Sequence, residues 1–209
     1  MNDPATSKSR QHQIIDAAVD VFLRYGYART TMVDIARAAG ITRPTLYATF
    51  PDKERIFTAV VEKMIDDKLT EISDELLRHP DFEGKLYYAC DAWVAEGYEL
   101  IQAHPDAADM FDLGFKSVCA GYERFTELLA EILDVPLKQS NFELSSMEIA
   151  RTIVSAMVGF KKIATSAIEL RQLIGVQTKL VASAIAPNMA RQKRASAIQT
   201  PIVGNRRTR

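Results

Sequence analysis

The stretch from Thr31 to Lys53 constrains the fold more than any other part of the chain. Thr31 precedes a short apolar-periodic segment and Asp34 follows three residues later, a capping-box relative that marks where a helix begins. Ala36 is small where a second helix must cross closely. Gly40 stands where the chain needs a left-handed turn that a β-carbon would resist. Ile41 is placed to bury in that turn, and Leu46 and Phe50 give the next helix an apolar face toward the first. A small residue, a turn glycine and a buried aliphatic in this order predict two short helices, Met32–Ala39 and Arg43–Phe50, joined as a helix-turn-helix.

The outer face of the second helix carries the chemistry. Thr42 is positioned to cap it, and Pro44 is tolerated in the first turn, where its missing N–H has no helical acceptor. Arg43, Thr45, Tyr47, Ala48 and Thr49 then project from a short rod of major-groove width. Arg43 suits a guanine edge or a phosphate, Thr45 and Thr49 are short enough to reach bases, Ala48 suits a thymine methyl, and the Tyr47 hydroxyl suits a phosphate. Lys53 stands at the start of the following helix, where its charge and the free N–H groups both favour a phosphate, and Thr31 joins these residues as a DNA-contact candidate.

The remaining periodicity is helical almost throughout. Ile14, Ala18, Val21, Phe22 and Tyr25 predict a first helix stopped by Gly26, and Asp52 is placed to cap a long helix ended by His79-Pro80. Phe82 to Leu100 predicts one helix, and Asp106–Phe111 a brief one. Phe115 to about Pro136 predicts another, and Ser145-Ser146-Met147-Glu148 is a capping-box sequence opening a long helix. A final helix over Gly175–Ile185 is expected to stop at Pro187. The expected class is all-α, with about nine helices.

Charge is distributed unevenly behind a net value of -1. Residues 1–55 carry eight Lys/Arg against six Asp/Glu, residues 56–169 ten against twenty-one, and residues 170–209 eight Lys/Arg with no acid. A mildly basic head on an acidic body directs one end toward a polyanion. The last stretch, from 189, lacks helical periodicity and is expected to be a disordered basic tail, or else an additional nonspecific DNA contact.

Other classes of function find little support. His12, His79 and His104 are isolated from any triad or metal-ligand pattern, the nine glycines are scattered, and Asp66 and Asp67 are adjacent on a helix and so do not face each other. No catalytic residues, metal or cofactor are expected. Cys90 and Cys119 read as core residues rather than a redox pair. The polar N-terminus and charge-broken apolar runs predict a cytoplasmic protein without membrane contact.

Taken as strings, Thr30-Thr31-Met32-Val33-Asp34-Ile35-Ala36, Ala39-Gly40-Ile41-Thr42, Thr45-Leu46-Tyr47 and Phe50-Pro51-Asp52-Lys53-Glu54 closely resemble the TetR/AcrR family signature. So do Ile14-Ile15-Asp16-Ala17-Ala18 and Phe22-Leu23-Arg24-Tyr25-Gly26-Tyr27, and the resemblance extends over about residues 10 to 60. One departure is Pro44, where the family often has glycine; proline stiffens the helix start and removes a possible backbone donor.

The resemblance implies a DNA-binding head over 1–52, a helical regulatory and dimerisation domain over 53–188, and the tail over 189–209. It implies a dimeric repressor on a palindromic operator, responsive to an apolar or aromatic ligand. The alternatives are a helical protein-interaction module, or a TetR-like activator without small-molecule control. In the family the regulatory domain usually holds a small-molecule pocket among its middle helices, and here Tyr88, Trp93, Met110, Phe111, Phe115, Cys119 and Tyr122 are the candidates to line it. The family's two C-terminal dimer helices would be Ser146–Arg171 and Gly175–Ile185, with Ile153, Met157, Phe160, Ile163, Leu180 and Ile185 as interface candidates.

Overall fold

The structure, a computed structural model, describes residues 4–140 and 142–198, with side chains over 8–140 and 142–185. Among the described residues nine α-helices form and there is no strand. They are α1 (Pro4–Arg29), α2 (Met32–Ala38), α3 (Arg43–Thr49), α4 (Lys53–Leu76), α5 (Phe82–Cys90), α6 (Glu96–Ala103), α7 (Lys116–Lys138), α8 (Ser146–Ile163) and α9 (Ala167–Ile198). A π-helical turn, Asp91–Ala95, stands between α5 and α6, and a 3-10 segment, Pro105–Phe111, lies between α6 and α7. Among the described residues no helix is long and apolar enough to cross a membrane.

The chain divides into two compact units. One comprises the chain up to Arg78 together with Asp91–Phe125; the other comprises His79–Cys90 and the chain from Thr126 onward. In the first, Ile14, Ala18 and Phe22 of α1, Ile35 of α2, Leu46 of α3 and Ile56, Phe57 and Val60 of α4 share one core. Ala107, Met110 and Val118 belong to the same core. Packing therefore groups α4 with the helices before it, because its first turns deliver Ile56, Phe57, Val60 and Val61 to the head's interior. In the second unit α9 lies against α5 and α8, and Leu170, Ile174, Thr178, Ala182 and Ile185 form its buried stripe.

Four helix boundaries differ from the sequence expectation. The single helix expected from Phe82 to Leu100 is interrupted by the π-helical turn. α8 ends at Ile163 instead of Arg171, and α9 starts at Ala167 instead of Gly175. The cause is a second capping sequence: the Thr165 amide and hydroxyl donate to the Glu169 carboxylate at 2.8 and 2.7 Å, and Glu169 N–H donates to the Ser166 hydroxyl at 3.2 Å. Gly175 is thereby interior to α9, where it faces Tyr87. Finally, α9 runs past Pro187 to Ile198, into the stretch expected to be a tail from 189. Met189, Ala190, Arg191, Gln192 and Lys193 are all strong helix formers, which carries the helix on. The rest of that expected tail, 199–209, lies outside the described residues.

Candidate nucleic-acid interface

Two seven-residue helices cannot hold themselves by length, so their ends must be fixed by side chains and turns. Thr31 and Asp34 form a complete capping box: Asp34 N–H donates to the Thr31 hydroxyl at 3.3 Å, and Thr31 N–H donates to the Asp34 carboxylate at 3.1 Å. The Thr31 hydroxyl also donates to that carboxylate, which holds the Asp34 pKa below the usual range, with Arg37 assisting. At the other end of α2, Ile41 N–H donates to Ala36 C=O at 3.0 Å and Gly40 N–H to Arg37 C=O at 3.2 Å. This is the paired closure of a Schellman turn, and it requires Gly40 at φ 65°. The sign of φ, not lack of space, selects glycine: a β-carbon there would meet nothing within 4 Å.

α3 follows from Thr42, whose hydroxyl accepts from Thr45 N–H and pairs with the Thr45 hydroxyl at 2.8 Å. Leu46 is fully buried and Phe50 nearly so, which fixes the helix's rotation. Arg43, Pro44, Tyr47 and Ala48 are left exposed, and Thr45 and Thr49 are half-buried. The Thr49 hydroxyl donates to Thr45 C=O at 3.1 Å. Both threonine hydroxyls are thus engaged within the helix, and their methyl groups are the remaining contact chemistry. Of the side chains that hydrogen-bond bases most selectively, α3 presents only Arg43.

Lys53, expected to offer its charge to a phosphate, also has a partner within the chain. Its ammonium donates to Tyr27 C=O at 2.6 Å and lies 4.3 Å from the centre of the Tyr27 ring, so it clamps the end of α1. Gln13 was not singled out by sequence: its side-chain N–H donates to Ala39 C=O at 2.9 Å, tying α1 to the turn before Gly40. A polar residue on the flank of an amphipathic helix gave no signal of that bond.

The other expected residues are dispersed. Met110 is buried in the head core, and Phe111, Phe115 and Tyr122 pack against it. The Phe115 ring lies 4.6 Å from that of Phe57 and 4.9 Å from that of Tyr27. Trp93, on the π-helical turn, stacks on Phe125 at 4.7 Å and meets Tyr122 edge-on at 6.0 Å; burial raises the Tyr122 pKa. The Cys119 thiol donates to Leu113 C=O. Tyr88 falls in the other compact unit, stacked on His79. Of the interface candidates, Ile153, Met157 and Ile185 are buried within their own protomer, so they are core, not contact surface. Phe160 is half-buried, whereas Ile163 and Leu180 are 67% and 66% exposed. Ile168 and Val176, which sequence did not single out, are equally exposed.

Residues 14–60 match the sequence model of the family described as bacterial regulatory proteins, tetR family. The chain is 35% identical to the HTH-type transcriptional regulator HbdR of Aromatoleum sp. (strain CIB) over 122 residues, 57% of this chain and 51% of that protein. It therefore spans about half the length of that relative. It is 28% identical to the HTH-type transcriptional repressor KstR2 of Rhodococcus jostii (strain RHA1) over 151 residues, 68% of this chain and 72% of that one. The fold matches that of the fatty acid degradation regulator FadR from Bacillus halodurans with a TM-score of 0.60 and 22% identity, covering 86% of this chain and 95% of the other. With the family match falling on the capped helices, residues 14–60 carry the sequence of the tetR family of bacterial regulatory proteins, and the likeness of fold runs well beyond them.

Proposed function

We propose that this chain is a sequence-specific DNA-binding transcriptional regulator that acts as a dimeric, ligand-responsive repressor on a palindromic operator. The observation that carries the reading is α3 itself, fixed in rotation by Leu46 and Phe50 and left open along Arg43, Pro44, Tyr47 and Ala48. A rod of these dimensions enters a major groove, and a twofold protein presents two of them roughly 34–36 Å apart. Arg43 reads a guanine or holds a phosphate, Tyr47 holds a phosphate, and Pro44, Ala48 and the methyls of Thr45 and Thr49 read thymine methyls. Thr31 and Thr42 fix the helix starts. Lys53 acts through the end of α1. Residues 1–52 are the DNA-binding portion of this scheme and 53–188 the regulatory one.

Dimerisation uses the exposed apolar positions of α8 and α9, Ile163, Ile168, Val176 and Leu180, since such a surface is a liability unless covered. Repression is the mode named for the KstR2 relative. An apolar or aromatic effector suits the Trp93–Tyr122 surroundings, because π-helical turns such as Asp91–Ala95 often accompany binding sites. Such an effector acts only by binding two states of the protein unequally.

The test is selection of bound duplexes from a random pool by wild type, Arg43→Ala and Tyr47→Ala. Enrichment of a near-palindrome that both substitutions weaken supports the reading. A folded dimer that enriches nothing at low salt refutes it and favours a protein partner for the head.

A further inference from the structure

α1 is broken near its end. Gly26 has φ 75° and ψ 169°, and a β-carbon there would lie 2.1 Å from the backbone oxygen of Asp106 and 2.8 Å from the Asp109 carboxylate. Neither the backbone nor the space admits a side chain. The break leaves the next backbone N–H groups without helical acceptors. They are taken by one residue about eighty positions away: Asp109 accepts from Tyr27 N–H at 2.9 Å with one oxygen and from Ala28 N–H at 2.8 Å with the other. Arg29 pairs with the neighbouring Asp106, and Lys53 holds the Tyr27 carbonyl. The Thr30 hydroxyl donates to Gly26 C=O at 2.6 Å, and Thr31 then caps α2. Every polar group of the α1–α2 corner named here is thus held in place, and its N–H pair is held from Pro105–Phe111, outside the 14–60 stretch that carries the family match.

We infer that Asp109 is a positioning residue for DNA binding: its carboxylate, seated on the Tyr27 and Ala28 amides, sets where α2 starts and hence the angle at which α3 is presented. The inference rests on the DNA-binding reading above. A carboxylate with two charge-assisted hydrogen bonds defines a position and a direction, whereas the exposed Arg29–Asp106 pair defines little. Pro105–Phe111 belongs to the same core through Ala107 and Met110, so a displacement of this segment is transmitted to the corner by packing as well as by Asp109.

The test separates presentation from base reading. Full-length wild type, Asp109→Ala and Asp109→Asn are each titrated with a selected operator, with a single half-site, and with operators whose half-site spacing is altered by one or two base pairs; amide exchange at Tyr27 and Ala28 is followed in parallel. Asp109→Ala is expected to keep the half-site base preference and bind the single half-site as wild type does. It should lose roughly tenfold on the operator and tolerate altered spacings that wild type rejects. Exchange at Tyr27 and Ala28 should accelerate, and Asp109→Asn, which keeps one acceptor, should fall between. A variant equal to wild type on every duplex overturns the inference, as does equal loss on half-site and operator, which marks a merely structural residue. A wild type that binds no duplex overturns the DNA reading itself and the positioning role with it, and is distinguished by the wild-type result alone.

Discussion

The α2–α3 pair and the α8–α9 pair are both helix hairpins, and they are stabilised by opposite means. α2 and α3 are seven residues each, too short to persist without fixed ends. Their stability is concentrated in the Thr31–Asp34 box, the Gly40 turn, the Thr42 cap and a few core side chains. α8 and α9 are eighteen and thirty-two residues long, and burial along Ile153, Met157, Leu170, Ile174 and Ile185 dominates. A hairpin held at its ends leaves its outer face free to carry recognition chemistry. A hairpin held along its length has surplus apolar surface to offer a second copy.

The largest effects should come from the two cores, and should differ in kind. Leu46→Ala and Met157→Ala both empty fully or nearly fully buried positions and should each cost about 2–5 kcal/mol in denaturant unfolding. Only the first should abolish DNA binding at temperatures where the protein stays folded. Equal loss of binding in both would break the comparison.

Next in size is Gly40→Ala. With open space around the site and φ at 65°, the cost is conformational alone, about 1–2 kcal/mol. Amide exchange should show the loss confined to α2 and α3.

Caps should matter less, and equally in free energy: Thr31→Ala and Ser145→Ala each remove a capping box at about 1 kcal/mol. The consequence should be unequal, fraying most of α2 but only the first turn of α8. Both boxes carry a pH signature. The pKa values of Asp34 and Glu148 are depressed by the Thr31 and Ser145 hydrogen bonds, below ordinary values of 3.8 and 4.5. Their contribution is therefore complete above those values and lost as pH falls through the lower folded ones. The cap substitutions should flatten the stability–pH curve in that acidic window and leave it unchanged near neutrality.

The smallest effect on folding belongs to Leu180→Glu. An exposed position should change monomer stability by only about 0.5 kcal/mol or less, yet sedimentation should show the dimer dissociating. A dimer of wild-type affinity would place the contact elsewhere.

The two hairpins also differ in how far their sequences disclosed them. In α2–α3 each boundary is fixed by a residue of restricted chemistry, so Thr31, Gly40, Thr42 and Asp52 marked the observed ends. In α8–α9 the Ser145 box is equally plain, but Ser166-x-x-Glu169, of the same form, is masked by the continuous helical pattern around it. Helical periodicity shows that Ile153, Met157 and Ile185 are buried, not against what, and they turned out to be the protomer's own core. Lys53 and Asp109 show the other blind spot. The sequence supplies the charge, but its partner lies at Tyr27, twenty-six or eighty-two positions away, and only tertiary packing brings them together.

The central claim is that the end-held hairpin reads DNA, and direct titration of its operator tests it. Wild type and Tyr47→Ala are measured against the selected palindrome and a scrambled duplex at two salt concentrations. Wild type should prefer the palindrome by about a thousandfold or more, with affinity falling steeply with salt, and Tyr47→Ala, which removes a phosphate contact, should bind both duplexes more weakly while the dimer stays intact. Equal wild-type affinity for both duplexes, or a Tyr47→Ala protein that binds both as tightly as wild type does, would contradict that claim.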